Sequence, residues 1–258
     1  MKPDTDGHVH LENGPLSVDY VREFVNAAAQ KGLKHLQILD HTHRFYEFAP
    51  MYEDVIQADP RQKAWFDKKQ INSIQDYIQL IEACRKEEFP IEVTFGLEVC
   101  WADFRREFLA EQLAVYPWDF LVGSVHSIQG RLYDMDGWSR EILWEKEPAE
   151  WIYRQYYDQV ASAMESGLFT QIGHPDVIKM YQYDPGYDLQ EEYDRLCELA
   201  RKHHILLEEN TGASYRYKHP DAGLAPAFRE TAARMDAGTI TASDAHYPKH
   251  VGMNFDLL

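Results

Sequence analysis

The sequence predicts an α/β barrel made of repeated strand and helix units. Short runs rich in β-branched residues alternate with longer amphipathic stretches along most of the chain. The 258 residues, 45% of them hydrophobic, suit one large domain with a sizeable core. No internal repeat, low-complexity tract or flexible linker divides the sequence, so we expect a single domain over residues 1–258.

Seven strands are predicted from these runs, at 7–11, 35–40, 91–100, 120–126, 170–174, 205–210 and 239–244. Helices are predicted at 18–32, 74–87, 148–166, 193–203 and 224–236. Ser17 is expected to cap the first helix, and Asp188 with Glu191 resembles a capping box ahead of the fourth. Segments 44–72 and 128–147 are too long for ordinary connections. They are predicted to be either substrate lids or surface excursions packed by their own aromatic residues.

The charge balance narrows the range of functions. The formal net charge at pH 7 is −17, which would repel a phosphate backbone or an anionic membrane surface. A small phosphorylated substrate is still compatible, because bound cations or a local arginine cluster can reverse the field inside a pocket.

Cysteine usage and the start of the chain predict a cytoplasmic protein. Cys84, Cys100 and Cys197 are far apart and form no C-x-x-C pair, which is typical of a reduced compartment. The first residues, MKPDTDG, lack the basic and apolar regions of a secretion signal, and no apolar run is long enough to span a bilayer.

Polar side chains collect at the carboxyl ends of the predicted strands. His8 and His10 are two residues apart, so on a strand they point to the same face. The strand ends carry His8, His10, Asp40, His41, Glu98, His126, His174, Glu209, Asn210, Asp244 and His246. In a closed parallel barrel these ends converge on one face, so we expect the side chains to meet in one pocket.

The types of these residues predict a metal cluster. Imidazole and carboxylate ligands together suit zinc, manganese or iron. More than five candidate ligands exceed the needs of one ion, so we expect two or three divalent transition-metal ions. Adjacent cations repel each other, and at least one carboxylate is therefore expected to bridge them.

Several short motifs resemble those of a known family. GHVH, LDH, GLEV, GSVHS, GHPD and SDAH are similar to motifs of the PHP superfamily, named for polymerase and histidinol phosphatase. The longer matches GHVHLENGP, DHTHRF, ENTG and SDAHYPKHVG resemble its histidinol-phosphate phosphatase branch. The resemblance covers nearly the whole chain. It implies a distorted (β/α)7 TIM-like barrel with a trinuclear metal site at the C-terminal ends of the strands.

The resemblance also implies which residues bind each ion. The first ion would be bound by His8, His10, Glu98 and Asp244. The second would be bound by Glu98, His126 and His174, so that Glu98 is the bridge. The third would be bound by His41, His246 and a residue of the loop after the first strand. Relatives often have a histidine there, but LENGP has none, and Glu12 is the candidate.

Substrate contacts are predicted around this cluster. There is no G-x-x-x-x-G-K-[ST] loop, so we expect Arg44 and Arg216, in loops above the metals, to bind phosphate in the catalytic site. Lys179 is a weaker third candidate, and His43 is either a substrate contact or an exposed loop residue. The leaving group would be protonated by His246, His43 or a metal-bound water.

Two carboxylates are expected to support the site. Asp40 is expected to orient His41 rather than to bind metal. Alternation along LLEEN predicts that Glu208 points outward and Glu209 inward, either for packing or in a hydrogen-bond network with Asn210 that supports the ligands.

These residues favour a metal-dependent phosphomonoesterase. The resemblance implies, more specifically, hydrolysis of L-histidinol phosphate to L-histidinol and phosphate, a step of histidine biosynthesis. The same metals would serve another PHP-type phosphoesterase, such as a nucleotide phosphatase, a nuclease or a protein-tyrosine phosphatase. A non-catalytic metal-binding module is the remaining alternative. The acidic charge argues against the nuclease, and the intact ligand set argues against the module.

Overall fold

A seven-stranded parallel sheet forms the centre of the protein, whose computed structural model describes residues 3–258. The strands are β1 (Thr5–His10), β2 (His35–Leu39), β3 (Glu92–Cys100), β4 (Phe120–Ser124), β5 (Ser127–Ile128), β6 (Arg131–Leu132), β7 (Gln171–Ile172), β8 (Leu206–Asn210) and β9 (Thr239–Ala242). The order in the sheet is β1-β2-β3-β4-β7-β8-β9, and β5 pairs with β6 in a separate hairpin. Val9 pairs with Ala245, just beyond β9, so the sheet curls into a nearly closed barrel. The predicted seven-stranded barrel is confirmed.

Helices pack around the barrel and connect its strands. They are α1 (Val18–Gln30), α2 (Glu53–Ala58), α3 (Pro60–Lys69), α4 (Ile74–Cys84), α5 (Arg106–Leu113), α6 (Ala149–Glu165), α7 (Gln190–His203), α8 (Gly212–Arg216) and α9 (Pro226–Met235). Ser17 caps α1 as predicted, because its Oγ accepts a hydrogen bond from Tyr20 N at 3.3 Å. The capping box predicted ahead of α7 is wrong, since the Asp188 carboxylate accepts from Gln190 N instead. None of the described helices is both long and apolar enough to cross a membrane.

Alternation along the strands separates the hydrophobic core from the interior of the barrel. In β3, Leu97 and Val99 are buried in the core, and Glu98 between them points to the opposite face. In β1, Val9 joins the core while His8 and His10 point into the barrel. The helices complete the core with apolar faces at helical spacing, and that of α1 consists of Val21, Phe24, Val25 and Ala28.

The two segments that interrupt the strand and helix repeat fold against each other. Residues 44–72 form 3-10 turns followed by α2 and α3, while residues 128–147 contain most of the β5–β6 hairpin and a π-helical turn at Arg140–Trp144. The fully buried Gln62 joins them, because its Oε1 accepts from Leu132 N and its Nε2 donates to Gly130 O, both at 2.7 Å. Both segments bury aromatic residues, as the second alternative predicts, and both supply walls of a cavity at the end of the barrel. Their role as substrate lids stays a prediction.

Candidate metal centre

A single buried carboxylate lies at the centre of the polar cluster. Glu98, near the end of β3, is 1% exposed. Imidazole nitrogens lie within 3.3 Å of its oxygens, and they belong to His8, His10, His41, His126 and His174. The first three of these histidines face Oε2, and the last two face Oε1. One carboxylate is thus shared between two groups of histidines, which is the arrangement of a bridging ligand.

Asp244 completes the group around His8 and His10. Its Oδ1 lies 3.3 Å from His10 Nε2 and 3.9 Å from His8 Nε2, and its Oδ2 contacts the Arg216 guanidinium. The backbone φ of Asp244 is +55°, and that of His174 is +33°. Residues with a Cβ rarely adopt such angles, and the strain they store concentrates at functional sites.

A third group forms around Glu12, in the loop after β1. Its Oε2 lies 3.4 Å from His41 Nε2 and 3.4 Å from His246 Nε2. Its Oε1 contacts Nζ of Lys69, which comes from α3. The loop has no histidine, and Glu12 is its acidic residue that reaches both imidazoles.

Glu208 supports the cluster through hydrogen bonds to two of its histidines. Its side chain is fully buried; Oε1 accepts from His8 Nδ1 at 2.7 Å, and Oε2 accepts from His174 N at 3.0 Å. With its Nδ1 proton donated to Glu208, His8 would bind a metal ion through Nε2, where the ion would replace the second ring proton. The directions predicted for the two acids of β8 are wrong. Glu208 points inward, whereas Glu209 accepts a hydrogen bond from Arg229 Nε at 2.7 Å.

Burial and neighbouring charges shift the pKa values of the residues in this cluster. Burial raises the pKa of Glu98, but the imidazoles around it outweigh burial and hold the pKa well below its usual value. Burial lowers the pKa of His8, but the carboxylates of Glu208 and Glu98 outweigh it and raise the pKa well above 6.5. Burial and the nearby Arg216 lower the pKa of His246 to about 3. His246 is therefore neutral near pH 7, which is the form that binds metal.

These residues fit divalent metal ions. Glu98 Oε2 is buried and makes no hydrogen bond, although ring nitrogens approach it from three histidines. His8 Nε2 and His10 Nε2 face each other across 2.8 Å, so a proton or a cation is needed between their lone pairs. A set of imidazoles and carboxylates is also the donor set that zinc, manganese and iron take in proteins.

A cavity of about 360 Å³ opens above the cluster, and this size is typical of small-ligand sites. Its floor includes Glu12, His41, His126, His174, Asp244 and His246. Its walls are largely apolar or aromatic and include Tyr52, Trp65, Leu132, Met135, Val177, Met180 and Tyr217. Besides histidines, the cations that line it are Arg216 and Lys69.

The fold brings all of the predicted metal ligands together in this one place. They are His8, His10, Glu12, His41, Glu98, His126, His174, Asp244 and His246. Two predicted substrate contacts also line the cavity. Arg216 lies beside Asp244, and the buried His43 stacks on His41 with ring centroids 4.4 Å apart.

Arg44 does not reach the cavity. It is 2% exposed, and its guanidinium donates to four acceptors at 2.6–3.1 Å, which are Asp40 Oδ2, Leu11 O, Gly14 O and Asn72 Oδ1. The predicted accessible Arg44 above the metals is therefore wrong. The side chain turns away from the cavity and holds the loop that carries Glu12.

Lys179 and Asp40 also have structural partners. Lys179 Nζ donates to Asp176 Oδ2 at 2.8 Å and to Gly223 O at 3.1 Å, and it does not line the cavity, so it is poorly placed to bind phosphate. Asp40 accepts from His41 N at 3.0 Å, so it supports the backbone of His41 and not its ring.

Lys69 and Asp134 line the cavity but were missed by the sequence analysis. Both belong to the irregular segments 44–72 and 128–147, where no periodic pattern or motif marks residues that face inward. The unusual length of these segments was the available signal, because long loops at the active end of a barrel often contact substrate.

Comparison with known proteins identifies the family. A model of the PHP domain matches residues 6–212. A curated relative from Deinococcus radiodurans, named "Probable histidinol-phosphatase", is 29% identical over 257 aligned positions, which cover 97% of this chain and 89% of the relative.

Two solved structures share the fold. A "putative histidinol phosphatase" from Listeria monocytogenes has a TM-score of 0.74 and 20% identity, covering 98% of both chains. Histidinol phosphate phosphatase from Lactococcus lactis, complexed with zinc, L-histidinol and phosphate, has a TM-score of 0.65 and 17% identity, covering 98% of this chain and 90% of the other. With this ligand cluster and these relatives, the protein is a metal-dependent phosphoester hydrolase. Because the family match spans most of its length, the chain belongs to the PHP family.

Proposed function

We propose that this protein hydrolyses L-histidinol phosphate to L-histidinol and inorganic phosphate. The observation that carries the proposal is the Glu98 carboxylate, shared between two groups of histidines beneath a cavity of about 360 Å³. The choice of substrate is supported by the name of the Deinococcus relative and by the ligands of the Lactococcus enzyme. The cytoplasmic location and the single domain over residues 1–258 stay predictions.

Two to three divalent ions are proposed to bind around Glu98. The first position would use His8, His10, Glu98 and Asp244. The second would use Glu98, His126 and His174. The third would use Glu12, His41 and His246. Bound ions would supply Lewis acidity and lower the pKa of a bound water. Zinc is supported by the Lactococcus structure, and manganese and iron suit the same ligands.

Arg216 and Lys69 are proposed to bind the phosphate group. Arg216 contacts Asp244 and His246, which uses only part of its five N–H donors and leaves others to face the cavity. Lys69, the last residue of α3, lines the cavity next to Glu12. Both cations lie next to proposed metal ligands, where they would offset the negative charge of the phosphate.

His43 and His246 are proposed as a substrate contact and a metal ligand, respectively. Burial lowers the pKa of His43 well below 6.5, with a further contribution from His41. Burial also dominates the low pKa of His246, at about 3. Both rings are therefore neutral near pH 7. Neither holds the extra proton that a general acid would give to the leaving alkoxide.

Phosphate release from a panel of esters tests the proposal. The panel contains L-histidinol phosphate, nucleoside monophosphates, phosphotyrosine and a single-stranded oligonucleotide. We expect the highest kcat/KM for L-histidinol phosphate, and a higher value for another ester would overturn the substrate assignment. Glu98→Gln, prepared in the same way, is the control for contaminating phosphatases. Elemental analysis should find two to three ions per active chain, and one ion or none in fully active protein would contradict the cluster.

A further inference from the structure

Asp134 is a carboxylate in the cavity without a side-chain partner. It follows β6, lines the cavity with its neighbour Met135, and is only partly exposed. Within residues 3–258, no cationic side chain forms an ion pair with it, and no other side chain donates a hydrogen bond to it. Its own backbone N–H donates a hydrogen bond to it.

The other carboxylates of the cavity differ in this respect. Glu12 contacts Lys69, and Asp244 contacts Arg216. A ligand that fills the cavity removes water from the Asp134 carboxylate, which is costly unless a positive group compensates the charge. Asp134 forms no ion pair with a described side chain, so we expect a cationic group of the ligand to provide this compensation.

The loop that carries Asp134 is held in place on both sides. The buried Ser139 Oγ donates to Leu132 O at 2.6 Å and accepts from Met135 N at 2.8 Å. Trp144 Nε1 donates to Tyr133 O at 2.9 Å, so the residue before Asp134 is also fixed. The carboxylate is therefore presented to the cavity by an ordered loop, as a specific binding group requires.

Charged groups of the cavity lie near this carboxyl. Burial raises the pKa of Asp134, and the rings of His126 and His174 and the guanidinium of Arg216 offset only part of this rise. These groups belong to the floor of the cavity, where the phosphate is proposed to bind. A carboxylate this near would repel a phosphate ester that carries no positive charge.

We propose that Asp134 binds a protonated amine of the substrate and thereby selects phosphate monoesters of amino alcohols. The phosphate would lie at the metal floor beside Arg216, and the ammonium group would pair with Asp134 on the wall. This inference rests on the proposed phosphatase function and deepens it, since L-histidinol phosphate carries such an amine. Asp134 is then a specificity-determining residue that contacts substrate away from the reacting atoms.

The test compares esters that differ only by the amine. One pair is L-histidinol phosphate and 3-(imidazol-4-yl)propyl phosphate, and a second pair is phosphoethanolamine and propyl phosphate. For Asp134→Asn, we expect the ratio of kcat/KM within a pair to fall by roughly 10- to 100-fold, because one charge-assisted bond is lost. Asp136→Asn, an exposed acid two residues along the same loop, should keep the wild-type ratio.

A binding measurement provides a readout apart from turnover. Calorimetric titration of L-histidinol into the metal-loaded protein should show weaker binding to Asp134→Asn by a similar factor and unchanged binding to Asp136→Asn. Melting curves check that the variants fold, and Asp134→Ser is a second variant if the asparagine form does not. An unchanged ratio within the ester pairs overturns the inference.

Two other outcomes separate the alternatives. An equal loss on both members of a pair, with p-nitrophenyl phosphate spared, would make Asp134 the general acid and would refute amine binding. If wild-type protein does not hydrolyse L-histidinol phosphate, the substrate proposal fails on its own. The phosphoethanolamine pair then decides the role of Asp134 independently.

Discussion

Replacing Arg44 with alanine is expected to destabilise the fold rather than to remove a phosphate contact. The side chain is 2% exposed, and one of its hydrogen bonds goes to the fully buried Asp40 carboxylate at 2.6 Å. Removing one partner of a buried ion pair costs about 3–5 kcal/mol, because the other charge is left without compensation. A domain of this size loses about 2–4 °C of melting temperature per kcal/mol, so we expect a decrease of roughly 6–20 °C.

Melting curves of metal-loaded protein, followed by circular dichroism, measure this effect. Arg234→Ala is the control, because the side chains of Arg234 and its partner Asp194 are 60% and 46% exposed. An exposed pair contributes little, and the control should lie within about 0.5 kcal/mol of wild type. Arg216→Ala should behave in the opposite way to Arg44→Ala. It should change the melting temperature little and lower kcat/KM by about ten- to a few-hundred-fold.

The loss of stability in Arg44→Ala should also depend on pH. Burial raises the pKa of Asp40, and Arg44 opposes that rise. Without Arg44 the pKa rises further, so the carboxyl is neutral over a wider acidic range. A carboxyl whose folded pKa is raised stabilises the fold below its unfolded pKa and loses this contribution as pH rises through the folded value. The deficit of Arg44→Ala should therefore be larger at pH 8 than at pH 5. An unchanged melting temperature, with intact metal content and a large loss of kcat/KM, would refute this reasoning. It would indicate that Arg44 binds phosphate, as the sequence analysis expected.

Four further substitutions test the metal cluster. Glu98→Gln should lose two ions and all activity, whereas Glu12→Gln should weaken only one ion; equal losses by elemental analysis would contradict the bridge at Glu98. Gly173→Ala should destabilise by about 1–3 kcal/mol and lower metal content, because the new Cβ would overlap Ser124 Oγ and displace the following histidine. If Gly173→Ala is as stable as the wild type, the Ser124 side chain moves away from the new Cβ at little cost. Glu208→Gln should weaken metal affinity about 10–100-fold in chelator competition, and unchanged affinity would mean that its bond to the cluster is dispensable.

The metal ligands could be predicted because strand geometry determines where they point. His8 and His10 share one face of β1, and alternation turns Glu98 away from Leu97 and Val99. Parallel strands in a barrel end on one side, so residues that are far apart in the chain must converge. Their convergence depends on the fold class alone, and the sequence pattern indicates that class clearly.

The directions of Arg44 and Glu208 could not be obtained in this way. Arg44 follows the metal-binding motif, but four acceptors in other segments draw its side chain away from the cavity. Adjacent acids in LLEEN must point to opposite faces, and the alternation alone led to the wrong choice of the inward one. The donors at His8 and His174 N determine that Glu208 points inward. Both outcomes depend on tertiary contacts that have no local sequence signal.

Lys69 and Asp134 illustrate a different difficulty. Their segments have short helices, a hairpin and turns, so neither period of 2.0 nor of 3.6 residues marks an inward face. The contact that joins the segments is made by the buried amide of Gln62, a residue type that is usually exposed. The walls of the cavity, and with them its specificity, therefore follow from irregular packing that only the structure describes.

The charge of the cavity is set locally, which is why a protein with a net charge of −17 can hold a site for a phosphate ester. Exposed surface charges more than about 8–10 Å away are largely screened by salt. Within the cavity, Asp244 lies against Arg216, and Glu12 lies against Lys69. The carboxylate of Asp134 has no such partner among the described side chains. A ligand would thus meet balanced pairs at the floor and, on the wall, a carboxylate that has no ion-pair partner among the described side chains. A molecule that carries both a phosphate and an amine matches that arrangement better than a phosphate ester without a cation.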